Sequence, residues 1–501
     1  MGYKKYRCID ANGNPLMRVS IDYNKKNSIC ILNCEDISIL NAIREKFSVP
    51  NRFAAFQSRF APRKLYSITP AGKFEPGLIN DVVECIEEYS DLIKITFTDE
   101  MIDYLNSNFD RKLSVLENNL KLHYYQEEIL KKALTGGRGI CVLGTGGGKT
   151  LTIATLIYNI FKYYKENKNF KCLLLVPDRG LVQQTYSDFI EYKVPFTFCR
   201  WTAEYKLDQT VNVVIASNQI IQSQFEDQEW AKYVDILVID ECHRIKGQNK
   251  IGKLIKKIYT THKFGFTGTL PDEKMDEWSI KGKIGPVYYE KRGNELRDEG
   301  FLTNAEVKII KVEYNSKPRT SFTDEEFTTT ARYKAELDFL YESSFRNNII
   351  KKICHNFNNN ILILVNHIRH GEILLEALSA ITDREVFFVQ GSVEVDDREK
   401  IKQQMEEKSN VICVAMSSIF STGINIKNIH MIVFASGGKA FIRLVQSIGR
   451  GLRKHHTKEK LLILDIADML KYGEDHHKKR VEIYRKENIP FSITQINESK
   501  K

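Results

Sequence analysis

No stretch of this 501-residue chain approaches the roughly 18 uninterrupted apolar residues that a membrane-spanning helix needs. The opening MGYKKYRCID likewise has no apolar core of the kind a secretory leader carries. These two absences lead us to expect a soluble, cytoplasmic protein with no membrane partner. Paired cysteines are missing too. The 10 cysteines are scattered without a CxxC, and Cys141, Cys172 and Cys413 sit inside apolar, strand-like runs, so they read as reduced core residues. Cys30 and Cys34 stand close together, but no second cysteine or histidine pair nearby completes a tetrahedral site, which argues against zinc. Acidic residues fall short of basic ones, 64 Asp and Glu against 74 Lys and Arg, for a net charge of +10. That surplus suits an anionic partner such as nucleic acid, although solubility alone accounts for part of it. The length leads us to expect about three domains, each large enough for its own core.

The chemistry that is present begins with the segment 144–150, GTGGGKT, which follows the apolar run Ile140-Cys141-Val142-Leu143. The pattern predicts a buried strand that turns through glycines into a helix opening at Lys149. Gly146 and Gly148 would let backbone N–H groups approach a β-phosphate, Lys149 would supply a point charge for the β/γ oxygens, and the Thr150 hydroxyl can ligate Mg2+. The strict pattern wants a glycine where Leu143 stands, and an ordinary glycine-rich turn is the plain alternative. A nucleotide site also needs an apolar strand ending in carboxylates. The run VDILVI at 234–239 leads directly into Asp240-Glu241-Cys242-His243, where Asp240 is expected to hold Mg2+, often through water, and Glu241 to polarise the attacking water. Alone, such a pair reads as a solvated acidic turn. Together with the upstream lysine loop it reads as an ATP site.

This DECH sequence after a glycine-lysine-threonine loop resembles the paired nucleotide motifs of the superfamily 2 helicases, and further elements of that family stand before and after it in the family's order. Leu122-His123-Tyr124-Tyr125-Gln126 resembles the adenine-recognition element, which implies that Gln126 reads the base edge. Val176-Pro177-Asp178-Arg179-Gly180-Leu181 with Gln184 resembles the first nucleic-acid-contacting motif, and Ser217-Asn218-Gln219 a later one. The resemblance thus implies contacts from Pro177, Arg179, Gln184, Ser217 and Gln219. Thr267-Gly268-Thr269 resembles the element that couples hydrolysis to strand contact. In the C-terminal half, Phe388-Val389-Gln390-Gly391 followed by Arg398, and the stretch from Ser417 through Thr422-Gly423-Ile424-Asn425, resemble the strand-binding and nucleotide-gripping motifs of a second lobe. That assigns Gly391, Ser417 and Thr422 to nucleic acid and Gly423 to the nucleotide. The sharpest match is Gln446-Ser447-Ile448-Gly449-Arg450-Gly451-Leu452-Arg453. The resemblance implies that Gln446, Arg450 and Arg453 face ATP held by the other lobe, the arginines neutralising charge on the γ-phosphate, an effect worth on the order of 10³ to 10⁵ in rate. It covers most of the chain and implies an α/β fold of two tandem RecA-like parallel-sheet lobes, with ATP and Mg2+ as cofactors.

The chain before about residue 110 differs in texture. Short β-like runs at 18–23 and 28–32 alternate with turns, and helical periodicity appears at 37–47 and 78–89. This reads as a separate small α+β domain over 1–108, assigned to recognition of a DNA substrate. It carries Arg52-Phe53-Ala54-Ala55-Phe56-Gln57-Ser58-Arg59-Phe60-Ala61-Pro62-Arg63-Lys64. Two readings fit that stretch. Arg52, Arg59, Arg63 and Lys64 take phosphates while the phenylalanines stack on bases, or the phenylalanines fill the domain's core and the basic residues solvate its surface. From 109 to 293, strands expected at 139–143, 172–176, 211–216, 236–239 and 263–267 alternate with helices, as a parallel sheet with crossover helices requires. A hinge is expected at 294–304. A second lobe over 305–501 repeats the alternation at 361–365, 385–389, 411–415, 431–435 and 461–464. His476-His477 before Lys478-Lys479-Arg480 reads as a solvated basic face that touches phosphate rather than a metal pair.

Within superfamily 2, a small N-terminal domain ahead of two lobes resembles the phage UvsW-type helicases, which remodel branched DNA. Phe74-Glu75-Pro76-Gly77-Leu78 resembles the end of that group's N-terminal domain, and Phe420 to Asn425 with Ile448 to His455 resembles its second lobe. This resemblance implies ATP-dependent branch migration, fork regression and joint-molecule unwinding on forks and four-way junctions, in phage recombination, replication and repair within the host cell cytoplasm. The alternatives are an RNA-dependent ATPase or helicase, an ATP-gated clamp that closes on DNA without moving, and the motor subunit of a restriction system.

Overall fold

The computed structural model describes residues 17–51, 61–89, 93–109, 112–117, 120–167, 169–245, 247, 249–315, 329–390, 401, 403–417, 428–436, 460–486 and 489–499. The chain divides into two compact units, Met1–Leu143 with Gly148–Lys291, and Gly144–Gly147 with Arg292–Lys501. No helix among the described residues is long and apolar enough to cross a membrane.

The first unit opens with a small α+β body: β1 (Met17–Asn24), β2 (Ile29–Cys34), α1 (Ile37–Lys46), β3 (Ser48–Pro50), β4 (Lys64–Tyr66), β5 (Lys73–Phe74), α2 (Ile79–Tyr89), β6 (Ile93–Phe97) and α3 (Asp99–Asn106). Four strands form a sheet in the order β5-β2-β1-β6. Side chains alternate across it with period 2. Val19, Ile21, Tyr23, Cys30 and Leu32 therefore share one face, and they are buried with Ile79, Val82 and Ile86 of α2 and Met101 and Tyr104 of α3. Asp36 caps α1 by accepting from the Ser38 N–H at 2.7 Å.

The same unit continues through α4 (Tyr124–Gly136), β7 (Gly139–Leu143), α5 (Lys149–Tyr163), β8 (Cys172–Val176), α6 (Arg179–Glu191), β9 (Phe198–Trp201), β10 (Val213–Ser217), α7 (Asn218–Gln224), β11 (Ile236–Asp240), α8 (Lys250–Ile255), β12 (Lys263–Thr267), α9 (Lys274–Ile284) and β13 (Val287–Lys291). The sheet order is β13-β7-β12-β11-β8-β10-β9, and every pairing is parallel. Its inner strands are covered on both faces, which is why ICVL, CLLLV and ILVI are continuous apolar runs rather than alternating ones. Short turns bring the C-terminal ends of β7, β8, β10 and β11 to one edge of the sheet, the edge where open α/β sheets gather ligands.

The small body is seated on α9. Phe47 packs against Trp278 with ring centroids 5.4 Å apart. Glu75 pairs with Lys256 and lies 3.4 Å from the Lys283 ammonium, whose side chain is 2% exposed. At Gly77 a Cβ would stand 1.9 Å from the Lys281 carbonyl oxygen, so the two backbones touch and no larger residue fits there.

The second unit contains α10 (Gly293–Asp298), β14 (Asn304–Glu313), α11 (Thr329–Glu342), α12 (Ser344–His355), β15 (Ile361–Val365), α13 (Ile368–Ser379), β16 (Val386–Val389), β17 (Ile412–Met416), β18 (Met431–Phe434), β19 (Lys460–Asp468), α14 (Lys471–Lys486) and β20 (Phe491–Asn497). The span expected to be a hinge holds α10 and the first residue of β14. Seven described strands form a parallel sheet in the order β16-β17-β15-β18-β19-β14-β20. Two buried ion pairs pin its helices. Arg346 of α12, 1% exposed, grips Asp468 at 2.8 and 3.1 Å and donates to the Ala435 carbonyl at 2.8 Å. Arg480 of α14 holds Asp465 at 2.9 Å. The histidine-lysine run is therefore not the solvated basic face expected of it. His477 and Arg480 are buried on the inward side of α14, drawn by Asp465, while the adjacent Lys478 and Lys479 face water and His476 is half-buried.

Candidate functional site at the strand ends of the first lobe

The loop 144–147 joins β7 to α5, and Gly148 caps α5 in the left-handed region at φ +80 with no side-chain cap. A Cβ on Gly148 would lie 2.5 Å from the Gln126 amide nitrogen. That crowding and the positive φ both demand glycine. Gln126 is buried with both ends of its amide used. Its oxygen accepts from the His123 N–H at 2.8 Å, and its nitrogen donates to the Gly148 carbonyl at 3.2 Å. The residue assigned to the base edge thus also ties the start of α4 to the phosphate loop. Thr150 stands half-buried in the first turn of α5, beside Lys149.

The Lys149 ammonium lies 3.4 Å from the Glu241 carboxylate, with the two side chains 11% and 23% exposed. Burial alone would raise the Glu241 carboxyl, but the Lys149 charge and the hydrogen-bonded His243 beside it together outweigh burial and hold the group well below the usual carboxylate range. Glu241 itself sits at φ +51, a left-handed conformation that is uncommon for a non-glycine residue. Asp240 ends β11 and accepts from the Glu241 N–H at 2.9 Å. His243 carries the chain of contacts onward: its Nδ1 is 3.2 Å from Glu241 and 2.9 Å from the Thr267 hydroxyl, and Thr267 in turn donates to the Thr269 carbonyl at 2.8 Å. The sequence motifs DECH and TGT are therefore one connected network. His243 was absent from the expected site set. The signal that could have found it is its place two residues beyond Glu241, at a strand end adjoining the end of β12.

These donors suit a magnesium nucleotide. Mg2+ is held by one or two carboxylates or hydroxyls, with waters and phosphate oxygens completing the shell, and not by a dense protein cage. Asp240 and Thr150 are of that kind. Among the described residues no group of three or more His, Cys, Asp or Glu stands together as a cage.

The residues assigned to nucleic acid in this lobe lie along the same edge. Pro177 is buried at the end of β8, and Arg179, exposed at the start of α6, pairs with Glu204 at 2.7 Å. Gln184 is half-buried. Ser217 is 1% exposed and caps α7 by accepting from the Ile220 N–H at 3.3 Å, while Gln219 is exposed. In the second lobe, Ser417 donates to the Val365 carbonyl at 3.1 Å. In the N-terminal body, Arg63 and Lys64 are exposed, and Lys64 pairs with Glu45 at 2.5 Å. Arg52, Arg59, Gly391, Arg398, Thr422, Gly423, Gln446, Arg450 and Arg453 lie outside the described residues.

Comparison with known proteins agrees with this arrangement. The profile of the family described as type III restriction enzyme, res subunit, matches residues 119–272, and that of the helicase conserved C-terminal domain matches residues 345–455. The chain is 27% identical over 514 aligned positions to the ATP-dependent DNA helicase uvsW of Enterobacteria phage T4, covering 93% of this chain and 97% of that one. It is 25% identical to the putative ATP-dependent helicase IRC3 of Saccharomyces cerevisiae, covering 66% of this chain and 48% of the relative. Among solved structures, the ATP-dependent type ISP restriction-modification enzyme LlaBIII bound to DNA superposes with a TM-score of 0.57 at 14% identity, over 84% of this chain and 36% of that one.

Proposed function

Because this chain belongs to the superfamily 2 helicases and is an ATP-dependent helicase, we propose that it is a DNA motor that remodels branched DNA: forks, four-way junctions and joint molecules. The observation that carries the motor reading is the contact chain from Lys149 through Glu241 and His243 to Thr267 and Thr269. It joins the phosphate-binding lysine to a segment that leads, through Leu270 and the next turn, into α9. A static nucleotide pocket has no need of that link. The branched-DNA reading is supported by the alignment with the phage helicase, which extends through the N-terminal region as well as both lobes.

In this reading Thr150 and Asp240 would hold Mg2+, which would neutralise the phosphate oxygens of the ATP that supplies the phosphoryl group. Lys149 leaves Glu241 for the β/γ-phosphates. Glu241, released from its cation, becomes a better proton acceptor and orients the attacking water. Thr267, felt through His243, passes the state of the site to the strand-binding edge. Arg450 and Arg453, with Gln446 and Gly423, supply the second lobe's contribution. The division into 1–108, 109–293, a hinge at 294–304 and 305–501 belongs to the same proposal, as does action in the cytoplasm of a phage-infected host. Conversion of a labelled four-way junction under ATP tests it. Wild type is expected to convert the junction and Lys149→Ala to leave it intact, whereas ATP turnover with no strand rearrangement on any branched substrate would overturn the proposal. A second reading, the motor of a restriction system, is favoured by the res-subunit profile. Such a motor tracks duplex DNA without needing a branch, so the junction assay separates the two.

A further inference from the structure

The strand ends of β8, β10 and β9 are neighbours in the sheet, with Ser217 beside Val176 and Ala216 beside Trp201. The segment leaving β9 therefore lies along the edge that carries Arg179, Ser217 and Gln219. That segment is the loop Thr202-Ala203-Glu204-Tyr205-Lys206, which belongs to none of the helicase-like motifs. The Arg200 guanidinium is sandwiched between two tyrosine rings, 3.6 Å from the Tyr205 centroid and 4.2 Å from that of Tyr186 on α6. It also donates to Gln183. The loop is closed on itself: the Thr202 hydroxyl accepts from the Glu204 and Tyr205 N–H groups at 3.2 and 3.3 Å, and the Thr202 N–H donates to the Tyr205 carbonyl at 3.2 Å. Yet Tyr205 remains 40% exposed and Lys206 beside it is exposed. An aromatic ring this firmly held, with a cation behind it, is suited to receive a second flat ring, because the side chain has little conformational freedom left to lose.

We propose that Tyr205, backed by Arg200 and Tyr186, is a stacking platform for an unpaired base of single-stranded DNA, and that Glu204 holds Arg179 in reserve for the adjoining phosphate. The inference rests on the DNA-motor reading and names one of its contacts. Stacking on an aromatic face is indifferent to base identity, which suits a protein that must track any sequence. The Arg179–Glu204 pair is exposed on both sides, 55% and 62%, so it is weak and a phosphate can displace the carboxylate. Glu204 thereby makes strand entry an exchange of one anion for another.

Fluorescence anisotropy with a labelled oligothymidylate and the matching abasic strand tests both parts. Tyr205→Ala is expected to weaken binding of the intact strand roughly 5- to 100-fold while leaving the abasic strand unchanged, and Tyr205→Phe to restore wild-type affinity. Equal losses on both strands, or none on either, would overturn the platform. Glu204→Gln is expected to tighten both strands alike, because it frees a phosphate contact and not a base contact; unchanged or weaker binding would overturn the reserve role. Wild-type protein that binds neither strand would remove the DNA-motor reading itself, an outcome distinct from a normal wild type with a silent Tyr205→Ala.

Discussion

At the scale of single residues, the site turns on one lysine shared between two anions. Lys149 lies 3.4 Å from Glu241, and a triphosphate would offer it more charge. Removing the ammonium leaves the phosphates without their fixed cation, so Lys149→Ala is expected to lower ATP turnover by about 10²-fold or more, the scale seen when a single preorganised donor to transition-state charge is lost. Steady-state hydrolysis checks this, and turnover near wild type would place the phosphates elsewhere. Glu241→Gln keeps the side chain's shape but not its basicity. It should bind nucleotide and DNA normally and stall before hydrolysis; unwinding at the wild-type rate would strip Glu241 of its role. His243→Ala cuts the contact chain between Glu241 and Thr267 without touching a phosphate. It is expected to lower the stimulation of ATPase by DNA more than the unstimulated rate, and equal losses in both would mean that His243 only orients Glu241.

At the scale of elements, the seat of the N-terminal body on α9 decides how the first unit behaves. Glu75 is the counter-ion of Lys256 and of the buried Lys283. Burial pushes Lys283 down and moves nearby Lys263 to about 8, with the Glu75 charge opposing both shifts. Glu75→Gln should therefore cost roughly 1–3 kcal/mol by leaving a buried ammonium uncompensated, measured as a fall in the unfolding midpoint of the full chain. Deleting residues 1–108 uncovers the same surface of α9, and this predicts a less stable protein as well as one impaired on junctions. His262 adds a pH dependence. It packs at a tilt against Phe109, ring centroids 4.4 Å apart, and its Nδ1 lies 2.9 Å from the Gly137 carbonyl. Burial, aided by the Arg138 charge and opposed by the Gly137 hydrogen bond, lowers it from 6.5 to about 4. Between those values the unfolded chain takes up a proton that the folded one refuses. Neutral His262 is therefore no burden above about 6.5, and stability is lost as pH falls from there towards about 4. Thermal unfolding across that window should fall more steeply for wild type than for His262→Gln; parallel curves would contradict the assignment.

Elements also show which parts of this molecule were legible in the sequence. The spans expected at 139–143, 172–176 and 361–365 coincide with β7, β8 and β15, because strands covered on both faces are written as unbroken apolar runs. In the two lobes, strands β9, β13, β14 and β20 went unrecognised. β9, β13 and β20 lie at sheet edges, where Arg, Tyr, Lys, Ser and Gln residues break the run, and β14 is an inner strand whose apolar residues are interrupted by Glu306, Lys308 and Lys311. In α14 a linear string of basic residues concealed a helical face: His477 and Arg480 are three apart and turn inward, where Asp465 awaits them. The glycine-rich turn into α5 and the acidic end of β11 were readable because the signals that build them are local. The link through His243 was not, because it joins residues 24 apart that only the parallel pairing of β11 and β12 brings together.

At the scale of the whole molecule, a basic chain with a nucleotide site on one parallel-sheet lobe, a second such lobe and a seated N-terminal body has the parts of a motor. A grip that comes largely from phosphates, as proposed, predicts an affinity that falls steeply with salt and depends little on base sequence. The central claim is that ATP hydrolysis is driven by DNA, and by branched DNA most of all. The measurement that tests it most directly is the rate of ATP hydrolysis in the presence of single-stranded, duplex, forked and four-way DNA and of RNA, at one ionic strength. Stimulation by DNA is expected, greatest with the fork and four-way junction and small with RNA. A rate that rises with RNA and not with DNA, or that ignores every nucleic acid offered, would contradict it.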